Sequence, residues 1–304
     1  MRMKKREVRH VPVLLEEVMR VLHPRPGQTI VDCTLGLGGH SAEILRRLGT
    51  TGKLIGIDFD PANIAHAQIN LQKISRNFAL HHNNFAAIGA VLASEGVTQV
   101  DAVLADIGVA STQIDDPGRG FSYKKAGPLD MRMDPTRGKP ASDLLQRLSE
   151  KEIADALLEL GDETDAPKIA RLIVQRRAEQ PIVTTDQLMA IVCEARDFTI
   201  LRAAGAKLHP AARTFQALRI LVNRELANLE NLLRVLPTVL KPRGMAAIIS
   251  FHSGEDRRVK QSFRNLERDG VYSEASPDPL TATEKEIAAN PRSRSAKLRW
   301  ARRA

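Results

Sequence analysis

The stretch Thr29-Ile30-Val31-Asp32-Cys33-Thr34-Leu35-Gly36-Leu37-Gly38-Gly39-His40-Ser41 decides how this chain is read. Its first five residues, entered through Pro26-Gly27, have the β-branched, apolar character of a short buried strand. The glycines directly after it let the backbone turn tightly and approach a ligand closely. A helix is expected from Ser41, with Ile44, Leu45 and Leu48 on its inner face and Gly49 ending it. Downstream, Lys53-Leu54-Ile55-Gly56-Ile57 reads as a second strand closed by Asp58. Asp60-Pro61 then supplies an N-cap and a first-turn proline for a helix through Ile64, Ala67 and Leu71. Residues 78–81 and Asp101 to Ala105 continue the alternation, which implies βαβ units and a parallel sheet covered on both faces.

Further out the pattern changes. From about Thr112 to Pro210 only turns and helices are expected, with capping-box spacings at Ser149/Glu152 and Thr184/Gln187. One long helical pattern follows (Phe215, Leu218, Leu221, Val222, Leu229, Leu232, Leu233). It leads through Pro242-Arg243-Gly244 to strands over Met245–Ser250 and, weakly, Lys297–Ala301. The economical organisation is a Rossmann-like α/β domain, residues 1–111 and 211–304, interrupted by an all-helical insertion over 112–210. Upstream, Met1 to His10 is basic, but Glu16 and Glu17 break any secretory core. Leu14, Val18, Val21 and Leu22 form one helical stripe instead.

Composition narrows the class. The 304 residues carry a net charge of +9, which points to a polyanionic partner. No apolar run is long enough for a membrane helix. The two cysteines, Cys33 and Cys193, are too few for a disulfide framework or a structural zinc site, and no metal-ligand cluster is evident. A reduced, cytoplasmic protein is expected.

Asp58 lies twenty residues beyond Gly38, where its carboxylate can accept ribose hydroxyls. A glycine turn with a second-strand acid suits a dinucleotide or S-adenosylmethionine, and the turn alone could be an ordinary strand-to-helix connection. Asp58 could also be a helix cap, although Asp60 already fills that role. Ser41 at the last place of the glycine pattern, and the lack of a hydride-acceptor pocket, favour the methyl donor.

Several stretches together resemble one family, the bacterial 16S ribosomal RNA cytosine-N4 methyltransferases (MraW, or RsmH). They are His10-Val11-Pro12-Val13-Leu14-Leu15-Glu16-Glu17, Gly38-Gly39-His40, Gly56-Ile57-Asp58-Phe59-Asp60-Pro61 and Asp106-Ile107-Gly108-Val109-Ala110-Ser111 with Gln113. Arg119-Gly120-Phe121-Ser122 and Gly127-Pro128-Leu129-Asp130-Met131-Arg132-Met133-Asp134 follow, the second being very specific. Later come Arg213-Thr214-Phe215-Gln216, Ser250-Phe251-His252-Ser253 with Glu255-Asp256-Arg257, and Asn290-Pro291-Arg292. Ile107, Ala110 and Gly254 depart from the family's usual residues. The resemblance implies a class I methyltransferase fold with an inserted helical domain, S-adenosyl-L-methionine as donor and S-adenosyl-L-homocysteine as product. It implies 16S rRNA of the small ribosomal subunit as partner, with a cytidine of the decoding-centre (P-site) region as target. Cofactor contacts would fall on Gly38, Gly39, His40, Asp58, Phe85, Asp106 and Gln113.

Each of these has a plainer reading: Phe85 as core, His40 as a helix-start residue, Gln113 as loop polarity. Asp106, at the carboxyl end of the fourth strand, is placed to accept a proton from the target amine, and His252 is a second candidate. A methyltransferase motif of Asp/Asn-Pro-Pro-aromatic is replaced here by Asp106-Ile107-Gly108-Val109. The Arg-bearing loop from Asp116 to Arg137 is expected to wall the target base, to pack the insertion onto the core, or both. Arg292, Arg294, Lys297, Arg299, Arg302 and Arg303 form a basic tail that could meet RNA phosphates or be a solvated face. Aromatic residues are only 4%, which favours phosphate over stacking recognition. The competing readings are a small-molecule methyltransferase or dehydrogenase on the same sheet, and a non-enzymatic RNA-binding assembly factor.

Overall fold

A computed structural model describes residues 12–199 and 209–304. His10, Val11 and the basic stretch before them lie outside the described residues. Two compact units emerge, one holding the described residues up to Gly108 with Ala227–Ala304, the other Val109–Leu226.

The first unit is an α/β sheet. Its strands are β1 Thr29–Asp32, β2 Lys53–Asp58, β3 Phe78–His82, β4 Val100–Asp106, β5 Leu240–Ser250, β6 Tyr272–Ala275, β7 Leu280–Thr281 and β8 Lys297–Arg303. They lie in the order β3-β2-β1-β4-β5-β8-β6, with β7 on β8. β3 to β5 run parallel to their neighbours, whereas β8 is antiparallel to both β5 and β6. This is a Rossmann-like sheet with one antiparallel strand inserted near its edge. Register explains the apolar runs. Val31, Ile55, Val103, Ala246 and Ala301 align across the strands and bury on one face, while Ile30, Leu54, Leu104, Ala247 and Leu298 bury on the other.

Helices α1 Leu15–Leu22, α2 Gly39–Leu48 and α3 Pro61–Leu71 cover the second face through Val18, Met19, Ile44, Leu45, Leu48 and Leu71. Asp60 caps α3 as its sequence predicts, Oδ1 accepting from the Ala62 N–H at 3.0 Å. The first face is covered by α4 Ile88–Ser94 and by two helices from the chain's later part. Each leucine fully buried there is worth about 1.5–3 kcal/mol of transfer free energy.

The second unit has its own apolar core, built on α6 Ala141–Arg147, α7 Glu150–Gly161, α8 Ala166–Glu179, α9 Thr185–Ala195 and α10 Ala212–Asn223, after the short α5 Ser111–Asp115. The capping boxes form: Glu152 Oε2 accepts from the Ser149 N–H at 2.8 Å, and Gln187 Oε1 from the Thr184 N–H at 3.0 Å. The structure divides after Leu226, not at the expected 210/211 boundary. The cause is the pairing of α10 with α7, so close that a Cβ on Gly161 would lie 2.7 Å from the Arg213 carbonyl oxygen. The single long helix expected from Phe215 to Leu233 is also two. Arg224 turns left-handed at φ 53°, ending α10 before α11 Glu225–Val239 begins. Among the described residues no helix is long and apolar enough to cross a membrane.

Candidate active site

In the first unit the carboxyl ends of β1, β2 and β4 are neighbours, and the strand order reverses between β1 and β4. Open parallel sheets hold ligands just beyond such a switch point. The glycine turn is roped across it. The Cys33 N–H donates to the Leu104 carbonyl at 2.8 Å and the Leu35 N–H to the Ile57 carbonyl at 2.9 Å. Gly38, at φ 82°, forms the N-cap of α2 in a conformation that favours glycine.

Three carboxyl groups lie at this end. Asp58 Oδ2 accepts from the Gly36 N–H at 2.7 Å; its Oδ1 accepts from the Asp60 N–H at 2.8 Å and the Asn63 amide at 3.2 Å. Burial outweighs these bonds and raises its pKa to about 6. Asp32 is buried, with Oδ2 accepting from the Ser41 hydroxyl at 2.6 Å and Oδ1 from the Thr34 N–H at 3.2 Å. Burial raises it to about 6 as well. Ser41 at the last place of the glycine pattern is therefore the anchor of this acid. Thr34 Oγ1 in turn accepts the Asp106 N–H at 2.6 Å, joining the turn to β4.

Asp106 is the least satisfied of the three. Its side chain is 24% exposed, yet Oδ1 is sealed from solvent with no hydrogen-bond partner. Its pKa rises to about 6, chiefly through burial; His40 pulls it down, and Asp32 and Glu255 push it further up. His40 sits in the first turn of α2, with Nε2 at 2.9 Å from the Val13 carbonyl oxygen and Nδ1 at 3.8 Å from Asp106 Oδ2. A carbonyl only accepts, so Nε2 carries a hydrogen and Nδ1 is the atom turned to the acid.

Phe85 opens a single 3₁₀ turn, Phe85–Ala87, just past β3, and lies partly buried at the margin of the core. Asn84 Oδ1 caps that turn through the Ala86 N–H at 2.8 Å, and the Asn231 amide on α11 donates to the Ala86 carbonyl at 2.8 Å. Gln113 belongs to the second unit, where its Oε1 accepts from the Ala110 N–H at 3.0 Å at the start of α5. The structure thus groups Gly38, Gly39, His40, Asp58 and Asp106, sets Phe85 just past β3, and leaves Gln113 outside this unit. The chain pattern did not single out Thr34, Ser41 or Asn231 as supporting residues.

His252 precedes α12 Ser253–Arg268. Glu255 Oε2 accepts from the Phe251 and His252 N–H groups at 2.9 and 3.4 Å. His252 Nε2 stands 3.1 Å from Glu255 Oε1, outside hydrogen-bond direction.

One motif has an internal role, and one expectation changes. The Gly127–Asp134 run serves its own unit: the Leu129 N–H donates to the Val183 carbonyl at 2.8 Å, and Arg119 donates to the Arg132 and Met133 carbonyls at 3.0 and 2.8 Å. Arg132 grips Asp130 with two bonds of 2.8 and 2.7 Å, and Leu129 and Met131 are buried. In the basic tail, Arg292 and Arg294 are exposed on the 3₁₀ turn Pro291–Ser295, but the arginines of the strand Lys297–Arg303 are engaged within the protein. Arg299 is buried against Asp256 at 2.6 Å, Arg302 faces Glu274 at 3.2 Å, and Arg303 donates to the Pro237 and Val271 carbonyls. The reason is that β8 lies inside the sheet, where its side chains meet partners on both sides. No group of three or more His, Cys, Asp or Glu among the described residues could hold a metal ion.

A parallel sheet with a glycine turn, a second-strand acid and an open fourth-strand acid defines a nucleoside-ligand site of the methyltransferase class. The MraW methylase family matches residues 7–304, and the chain belongs to that family. The ribosomal RNA small subunit methyltransferase H of Sorangium cellulosum is 46% identical over 294 residues, 97% of this chain and 90% of that protein. Its namesake in Koribacter versatilis is 44% identical over 301 residues, covering 97% and 94%. Among solved structures, an rRNA methylase from Streptococcus thermophilus aligns over 95% of this chain and 93% of its own, with 9% identity and a TM-score of 0.42.

Proposed function

We propose that this protein methylates the N4 amine of a cytidine in the decoding-centre region of 16S rRNA, using S-adenosylmethionine. The observation that carries the reading is Asp106: a buried carboxyl oxygen without a partner, at the carboxyl end of β4, tied through Thr34 to the glycine turn. When bound, the donor supplies a methyl group on a sulfonium. The Gly38 N–H is taken by the Leu35 carbonyl at 2.8 Å, so the Gly39 N–H would hold its methionine end, with Gly38 shaping the turn, and Phe85 the adenine face. Asp58 has three of about four acceptor positions filled, so one ribose hydroxyl fits and a second requires the Asn63 amide to give way.

Asp106 has the harder task. The cytosine N4 lone pair is conjugated into the ring, and a hydrogen must leave as the new N–C bond forms. Ionised Asp106, its backbone N–H tied to Thr34 Oγ1, accepts that proton; a carboxyl near 6 is a stronger base than an ordinary aspartate while still mostly ionised at neutral pH. In-line positioning of amine and methyl can supply about 7–11 kcal/mol of the barrier reduction in favourable cases. A base in structured RNA must first be splayed out of its stack.

The test is transfer from labelled donor to small subunits lacking the modification, followed by nucleotide mapping. Label on N4 of one decoding-centre cytidine is expected. Label on another atom, or only on free nucleosides, overturns the reading.

A further inference from the structure

The crevice does not use the outward side of α12, although the Ser250–Arg257 motif runs directly into it. Nearly every other side of that helix is accounted for. Val259 and Phe263 are buried in the core, and Glu255 accepts the N–H groups at the helix start. Asp256 pairs with Arg299 at 2.6 Å and Lys297 at 3.5 Å, and Arg258 pairs with Glu230 at 2.7 Å and donates to the Gly254 carbonyl. Arg257, Lys260 and Arg264 remain, at i, i+3 and i+7, hence on one face and spread over about 10 Å of helix. Arg257 and Arg264 are exposed and Lys260 partly so. Among the described residues none of the three pairs with a carboxylate; Arg264 alone makes a long contact, 3.4 Å, to the Pro277 carbonyl.

Three like charges on one helix face repel one another, so the arrangement favours an anion brought from outside. Its position is informative. α12 begins three residues after β5 ends, and β5 pairs with β4 so that Ile249 lies opposite Asp106. The stripe therefore starts at the end of the sheet where Asp106 opens. Its neighbours on the same face are Ser253, Gln261, Glu267 and Arg268, with Glu267 accepting the Ala275 N–H at 2.8 Å; no apolar or aromatic residue is among them. That composition gives nothing to insert into lipid and nothing to stack on bases.

We propose that Arg257, Lys260 and Arg264 form a track for the phosphate backbone of the RNA substrate, beside the crevice. The proposal rests on the RNA-methylation reading and extends it to a docking surface. The experiment measures binding of a fluorescent RNA spanning the small-subunit decoding region, from 50 to 200 mM salt, to wild type and to the triple variant Arg257→Gln/Lys260→Gln/Arg264→Gln. Donor affinity by calorimetry and the melting temperature are followed in parallel. Three lost single-strand phosphate contacts should flatten the log–log salt slope by about 2, so that over this range wild type loses roughly twentyfold more affinity than the variant. Donor affinity should be unchanged, and Arg257→Lys/Arg264→Lys should restore the slope. If the triple variant does not fold, Arg257→Gln and Arg264→Gln alone should each lower the slope by about 0.7. An unchanged slope in the variants overturns the proposal. So does loss of binding to phosphatidylserine vesicles with RNA binding intact. Wild type that methylates the cytidine beside variants of unaltered slope removes the docking surface alone. Wild type that methylates no small subunit, beside variants of flattened slope, removes the methylation reading and leaves the surface standing.

Discussion

The glycine turn at residues 33–40 and the Gly127–Asp134 run are both short, patterned loops, and they use their hydrogen bonds in opposite ways. The first ties backbone to neighbouring strands yet leaves Asp106 Oδ1 unmatched and Asp58 with acceptor capacity to spare. The second turns its donors and acceptors inward: Arg119 to two carbonyls, Arg132 to Asp130, the Met133 N–H to Asn223 Oδ1 at 2.7 Å. A distinctive stretch of sequence can thus be distinctive for its own packing. The place of a loop at the carboxyl ends of parallel strands, beside buried acids with acceptor capacity, and not the specificity of its pattern, separates a ligand loop from a packing loop.

Four measurements can break or sharpen that contrast. The largest effect is expected at the open acid. Asp106→Ala should lower turnover by about 10²–10⁴ in single-turnover assays at saturating donor; wild-type turnover would remove Asp106 from the chemistry. Packed against the closed loop, Gly120 has φ 73°, and a Cβ there would lie 2.3 Å from the Pro128 carbonyl oxygen. Gly120→Ala should cost about 2–4 kcal/mol of stability in urea unfolding, without weakening donor binding to the folded protein. Unaltered stability would refute the packing account.

Asp58→Ala should raise the donor Kd by about 10–100-fold, the weight of a hydrogen bond to a charged group. The ionised carboxylate is the acceptor and its pKa is about 6, so donor affinity should weaken as pH falls from 7 through 6. Asp58→Asn should flatten that dependence in calorimetry. The smallest effect belongs to Asn231→Ala, which frees the Ala86 carbonyl and should raise donor Kd about 2–10-fold. In a Phe85→Ala background that loss should vanish if Asn231 acts through the aromatic ring.

The alternating sheet was legible because buried parallel strands read as continuous apolar runs and Asp60-Pro61 is a local signal. β6 and β7 were not: Tyr272-Ser273-Glu274-Ala275 is short and half polar, and β7 has two residues. The break at Arg224 was hidden because apolar periodicity continues across it. Gly38 and Asp58 could be read as site candidates because each ends or follows its own strand. Thr34 bonding to the Asp106 N–H joins residues 72 apart in the chain, and only strand register brings them together. The basic tail misled for the same reason, since Asp256, the partner of Arg299, is 43 residues away.

The place of β8 has a consequence for how the protein is made. Sheet order is not synthesis order: β8 is translated after β6 and β7, yet it lies between β5 and β6. Until Lys297–Arg303 has left the ribosome, the backbone of β5 is a bare edge on that side, and Asp256 and Glu274 await their arginines. An emerging chain thus passes through a stage when the glycine turn and both acids are already out but the barrier against strand-to-strand aggregation is still missing.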